Sequence, residues 1–107
     1  MTISTHVLDA ALGRPAAGVP VRLEGPAASL PVEAVTDADG RVAELTSGAS
    51  EPGDYRLRFD TGSYFRAAGR ESFYPEVVVT FTITDATQHY HVPLLLSPFA
   101  YSTYRGS

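Results

Sequence analysis

Apolar and polar positions alternate with a period of two along much of the chain. Val19, Val21 and Leu23 alternate with Pro20, Arg22 and Glu24, and Tyr55, Leu57 and Phe59 with Arg56, Arg58 and Asp60. Val77, Val79, Phe81 and Ile83 alternate in the same way with Val78, Thr80, Thr82 and Thr84. Successive strand side chains point to opposite faces, so each run predicts a half-buried strand. A further strand is expected over Val42-Ala43-Glu44-Leu45, directly after Arg41. Gly13-Arg14-Pro15, Gly25-Pro26, Asp37-Ala38-Asp39-Gly40 and Glu51-Pro52-Gly53-Asp54 combine residues that accept or fix turn dihedrals, and each marks a loop between strands. The stretch 61–69 is the exception: Ser63 is the predicted N-cap and Gly69 the C-terminal stop of one short helix. Seven or eight short strands with one brief helix and no internal repeat predict an all-β fold, a two-sheet antiparallel sandwich with Greek-key connections.

Composition narrows what such a sandwich can do. At 107 residues, 44% hydrophobic and 19% charged, the sequence reads as a single domain over 1–107 and too apolar for a disordered tail. No apolar run reaches the ~20 residues of a membrane-spanning helix. There is no Cys, which removes disulfide scaffolds, thiol nucleophiles and Cys-ligated metals. All 8 basic residues are Arg, which removes P-loop and Schiff-base lysines. The net charge of -4, with scattered arginines, offers no stripe for a phosphate backbone, so nucleic acid is not an expected partner. Met1-Thr2-Ile3-Ser4-Thr5 lacks the basic and apolar regions of a secretory leader, and the chain as given is expected in the cytoplasm.

Imidazole chemistry must be assembled from 3 histidines, His6, His89 and His91. His6 stands alone in a strand-like stretch, where an isolated histidine is ordinarily structural. His89 and His91 form His-x-His on a predicted strand, which places both rings on one face about 7 Å apart. That spacing permits metal ligation with His6 as a third ligand, but no other paired ligand motif accompanies it, and metal binding is the lesser reading. Arg41 by spacing alone is an exposed strand-edge charge. Alternation sets His89, His91 and Pro93 on one face and Ser102, Tyr104 and Gly106 on one face of a following strand, so the two sets share a surface if those strands pair. Such a surface is flat in a monomer, whereas sites need concavity, and a facing subunit is the natural source of the missing wall.

Ser4-Thr5-His6-Val7-Leu8-Asp9, Thr36-Asp37-Ala38-Asp39-Gly40-Arg41, Phe73-Tyr74-Pro75-Glu76 and Tyr104-Arg105-Gly106-Ser107 resemble the transthyretin-related 5-hydroxyisourate hydrolases from end to end. The terminal Tyr-Arg-Gly-Ser, preceded by His-Val-Pro-Leu-Leu-Leu-Ser-Pro, is the signature that separates these hydrolases from the hormone carrier transthyretin. The resemblance implies a transthyretin-like sandwich of two four-stranded sheets with one short helix. It implies a homotetramer, a dimer of dimers, with sites at the dimer–dimer interface. It implies that His6, Arg41 and His91 are catalytic and that Tyr104, Arg105, Gly106 and Ser107 help bind substrate, while His89 is not carried over. The implied reaction is cofactor-independent hydrolysis of 5-hydroxyisourate to 2-oxo-4-hydroxy-4-carboxy-5-ureidoimidazoline in urate degradation, without a metal.

Opening a cyclic amide needs an activated water, a stabilised oxyanion and a proton for the departing nitrogen. One of His6 and His91 is expected to activate water and the other to orient it or return the proton. Arg41 then meets the developing charge and lowers the pKa of the neighbouring imidazole. The rival readings are a carrier that uses the same fold for an aromatic ligand, and a purely structural sandwich.

Overall fold

The structure, a computed structural model, describes residues 2–26, 30–45 and 51–107. In chain order the elements are β1 (Thr2–Asp9), β2 (Arg14–Pro15), β3 (Pro20–Glu24), β4 (Val32–Val35), β5 (Arg41–Val42), β6 (Gly53–Phe59), α1 (Thr61–Ala67), β7 (Val77–Ile83), β8 (His89–Ser97) and β9 (Ala100–Thr103). One sheet runs β2-β1-β8-β9, with β5 also paired to β1; the other runs β4-β3-β6-β7. The two-residue strands β2 and β5 pair with successive parts of β1, at Leu8–Asp9 and at Thr5–His6. Nine strands among the described residues thus exceed the seven or eight expected, while the first sheet is only four strands wide.

The alternating runs face where their pattern requires. Val21, Leu23, Tyr55, Leu57, Phe59, Val77 and Ile83 are buried from the second sheet, against Ile3, Val7, Tyr90, Val92, Leu94 and Leu96 from the first. Fully burying a side chain of this size contributes roughly 1.5–3 kcal/mol, and these two inner faces form one core. The first sheet is centred on β1 and β8, which run parallel with Thr2 beside His89, Ser4 beside His91 and His6 beside Pro93. Tight turns cannot make that pairing; it needs the crossover that the whole intervening sandwich supplies.

Two local expectations change. The strand beginning at Arg41 ends at Val42 rather than continuing to Leu45, although the Leu45 N–H still donates to the Ile3 carbonyl at 2.8 Å and its side chain is buried. The helix is capped by Asp60, not Ser63: the Ser63 N–H donates to Asp60 Oδ1 at 3.1 Å, which puts Ser63 inside the first turn. β6 ends at the buried Phe59 and the helix starts immediately, so the first carboxylate after the strand takes the cap. At the other end Gly69, at φ +66°, supplies the left-handed residue, with the Arg70 N–H donating to the Phe65 carbonyl at 2.9 Å.

Candidate active site

The outward face of the first sheet collects most of the candidate residues. On β1 the residues at even positions point outward, since Ile3, Thr5, Val7 and Asp9 face the core. The parallel register sets Ser4 beside His91, and the antiparallel register sets His6 opposite Arg41. Directly paired residues share a face, so His6, Arg41, Ser4, His89 and His91 lie on one surface. Beyond β9 the chain returns to this surface: the Gly106 N–H donates to the His91 carbonyl at 2.9 Å in an isolated antiparallel bridge.

Arg41 is delivered by the turn at 37–40. Asp37 Oδ1 accepts from the N–H groups of Asp39 and Arg41, each at 2.9 Å, and its backbone N–H donates to the Arg41 carbonyl at 3.0 Å. This side-chain mimicry of a backbone turn is the usual work of Asp in loops. Gly40, at φ +74°, completes the turn; a Cβ there would strike the Val7 carbonyl oxygen, and the Val7 N–H donates to the Gly40 carbonyl at 2.7 Å. His6 braces the same turn, its Nε2 lying 2.9 Å from the Asp39 carbonyl oxygen. A carbonyl only accepts, so this nitrogen carries a proton and Nδ1 is the one left free in a neutral ring.

His91 is held from three sides. Ser4 Oγ lies 2.8 Å from its Nδ1, and the His89 ring stacks beside it with centroids 6.4 Å apart and planes 14° apart. Gly106 closes the third side: an added Cβ would lie 2.5 Å from His91 Cδ2 and 3.1 Å from Cγ. Burial pushes the His91 pKa below its ordinary 6.5, the charges of His89, Arg41 and His6 press the same way, and the Ser4 backbone carbonyl opposes them. The imidazole is therefore neutral, and able to accept a proton, at neutral pH.

An open hollow of about 300 Å³ is lined by Ser4, Arg41, Val42, His89, His91 and Ser107 among others. A second, of about 260 Å³, lies on the other side of His91, bounded by Tyr104, Arg105, Thr103, Tyr90, Val79 and Phe81. The sequence-derived residues thus divide. Arg41, His91 and Ser107 share the first hollow, with Gly106 against the His91 ring, whereas His6 does not line it and is tied to it only by its pairing opposite Arg41. Tyr104 and Arg105 line the second, where Arg105 stacks its guanidinium 4.9 Å from the Tyr90 centroid and donates from Nη2 to Gln88 Oε1 at 3.1 Å. Ser4 and His89 were not singled out for the site, yet both line the first hollow. The available signal was His89 in His-x-His, whose shared face with His91 was already evident. Ser4 carried none, because its neighbour is 87 positions away in sequence. Among the described residues no three of the metal-binding side chains converge on one point.

Known proteins align with this chain over nearly its full length. A family model described as the HIUase/Transthyretin family matches residues 3–106. The 5-hydroxyisourate hydrolase of Mus musculus is 50% identical, covering 98% of this chain and 94% of its own length. The solved structure of Klebsiella pneumoniae 5-hydroxyisourate hydrolase superposes with a TM-score of 0.89 at 40% identity, covering 99% of this chain and 98% of that one. Sea bream transthyretin, in complex with thyroxine, superposes equally well, with a TM-score of 0.89, at 31% identity over 99% of this chain and 95% of that one. Fold alone therefore does not separate hydrolase from carrier, but the residues on the outward face give the family a chemical reading. The chain belongs to the HIUase/Transthyretin family.

Proposed function

We infer that the hollow around His91 is where this chain hydrolyses 5-hydroxyisourate, the substrate named for relatives at 44–52% identity. The observation that carries the assignment of the site is the outward register, with His6 opposite Arg41 and a depressed-pKa His91 one strand away. In this reading neutral His91 takes a proton from water, and the resulting hydroxide adds to a ring carbonyl carbon. The tetrahedral oxyanion faces the Arg41 guanidinium, which is charged throughout and needs no reorganisation. The ring C–N bond then breaks, and the departing nitrogen takes back the proton. His6, fixed by the Asp39 carbonyl, orients the water or passes that proton. Ser107 and Gly106 bound the substrate from below, with Tyr104 and Arg105 shaping the adjoining wall. No step calls for a metal or an organic cofactor.

The same reading includes a homotetramer whose sites lie between dimers. An open face excludes water poorly, and a second copy laid across it supplies the missing wall. Support comes from half-buried Leu8 and Leu95, which share this face with the polar residues. It also comes from β7 and β9, the end strands of the two sheets, beside Phe73 and Phe99 at 70% and 62% exposure. Unpaired edges and exposed aromatics of this kind favour association between copies.

The deciding measurement generates 5-hydroxyisourate with urate oxidase and follows its ultraviolet and circular dichroism signals with and without this protein. Accelerated decay with an optically active product is expected. Decay at the spontaneous rate to a racemic product would reject the assignment and favour a carrier.

A further inference from the structure

Two hydroxyls and two imidazoles form a continuous chain along the outward face. Thr2 Oγ1 is hydrogen-bonded to His89 Nδ1, Ser4 Oγ lies 3.1 Å from His89 Nε2, and the same Ser4 Oγ lies 2.8 Å from His91 Nδ1. Ser4 has one proton and bridges two nitrogens, so it donates to one ring and accepts from the other. The protons of the whole chain must therefore run in one direction or the reverse. If Ser4 donated to His91, Nδ1 would be bare and the ring proton would sit on Nε2, the wrong nitrogen for a base. The opposite direction has His91 Nδ1–H donating to Ser4, Ser4 donating to His89 Nε2, and His89 Nδ1–H donating to Thr2. Only this second direction leaves Nε2 bare, the nitrogen of His91 that the Ser4 hydroxyl does not occupy.

We propose that Ser4 and His89 are positioning residues for the hydrolysis: their hydrogen-bond chain holds His91 as its Nδ1–H tautomer and leaves Nε2 as the proton acceptor. The arrangement does for this histidine what a carboxylate does in a triad, using a hydroxyl and a second imidazole instead. It also gives His89 a task beyond filling the strand face. Thr2 anchors the far end, and Gly106 lies so close to the His91 ring that no side chain fits between them.

The inference rests on the proposed site, and its test separates the two. The protein labelled with ¹⁵N-histidine is examined by long-range ¹H–¹⁵N correlation at neutral pH, in the native chain and in Ser4→Ala, Ser4→Thr and His89→Phe. The native His91 is expected to carry its proton on Nδ1, and Ser4→Ala to give a tautomer mixture. On freshly generated 5-hydroxyisourate, Ser4→Ala is expected to lower kcat roughly 10–100-fold with KM within about twofold, since the loss concerns proton transfer rather than substrate contact. Ser4→Thr restores both tautomer and kcat, and His89→Phe, which keeps the stacked ring but no nitrogens, loses several-fold. A native His91 protonated on Nε2, or an Ser4→Ala variant with unchanged tautomer and kcat, would overturn the proposal. Absence of turnover in the native chain would instead overturn the assigned reaction, while the tautomer spectrum still decides the relay.

Discussion

Gly106 lacks a side chain where His91 fills the space, and this contact makes a one-carbon change informative. Gly106→Ala must displace the ring by several tenths of an ångström, because the new Cβ would sit 2.5 Å from Cδ2. A misplacement on that scale at the proposed base is expected to lower kcat about tenfold or more, with the urea midpoint nearly unchanged because the residue lies outside the core. His91 itself sets a pH dependence. Its folded pKa lies below 6.5, so below that value the unfolded chain binds the proton more readily than the folded one. The contribution to stability is complete above 6.5 and is lost as pH falls through the folded value. In the proposed mechanism the acid limb of kcat/KM is expected to follow the same group and to lie below pH 6.5. Arg41→Gln removes one of the charges pressing on the ring, and an NMR titration should show the His91 pKa moving upward even if turnover is lost. A downward or absent movement would deny the two side chains their proximity.

At the scale of elements, the turn that carries Arg41 and the tie at the end of β1 are separable. Asp37→Ala strands the Asp39 and Arg41 N–H groups and loosens the turn, and is expected to cost about 1–2 kcal/mol together with a several-fold fall in kcat/KM. At the far end of β1, Asp9 is 0% exposed and accepts from Arg70 Nη1 at 2.6 Å, Tyr64 OH at 2.8 Å and the Leu12 N–H at 3.0 Å. Burial pushes the Asp9 carboxyl up, but the Arg70 and Tyr64 hydrogen bonds, the Leu12 N–H and the Arg70 charge together hold it below 3.8. Its stabilisation is therefore present above pH 3.8 and lost in stronger acid. Arg70→Met leaves this carboxylate without its cation and is expected to cost on the order of 2–4 kcal/mol in urea unfolding, while Asp9→Leu combined with Arg70→Met recovers part of that loss. The strands β3, β6 and β7 were legible because burial on one face writes itself as alternation. The shortness of β5 and the Asp60 cap were not, because both depend on where a neighbouring element stops.

For the whole molecule, the proposed assembly lays a second copy across the outward face. Leu95 pairs with Leu8 across β8 and β1 on that face, two residues beyond the His6–Pro93 pair and four beyond His91. Leu95→Arg places a charge where a second copy would rest, and light scattering is expected to read a smaller assembly with turnover lowered at least tenfold; an intact tetramer would remove this face from the interface. The alternating pattern by itself determined a sandwich, since period-two burial admits few other shapes, and the terminal Tyr-Arg-Gly-Ser identified the family. His6, Arg41 and His91 were also named from sequence, through motifs that the resemblance supplied. What only the tertiary structure decided was company: Ser4 with His89 and His91, Gly106 against the ring, and Tyr104 and Arg105 in the neighbouring hollow. The physical reason is the parallel pairing of β1 with β8. Strand periodicity tells each residue which way to face, but the register between the two ends of a chain is set by the folding of everything between them.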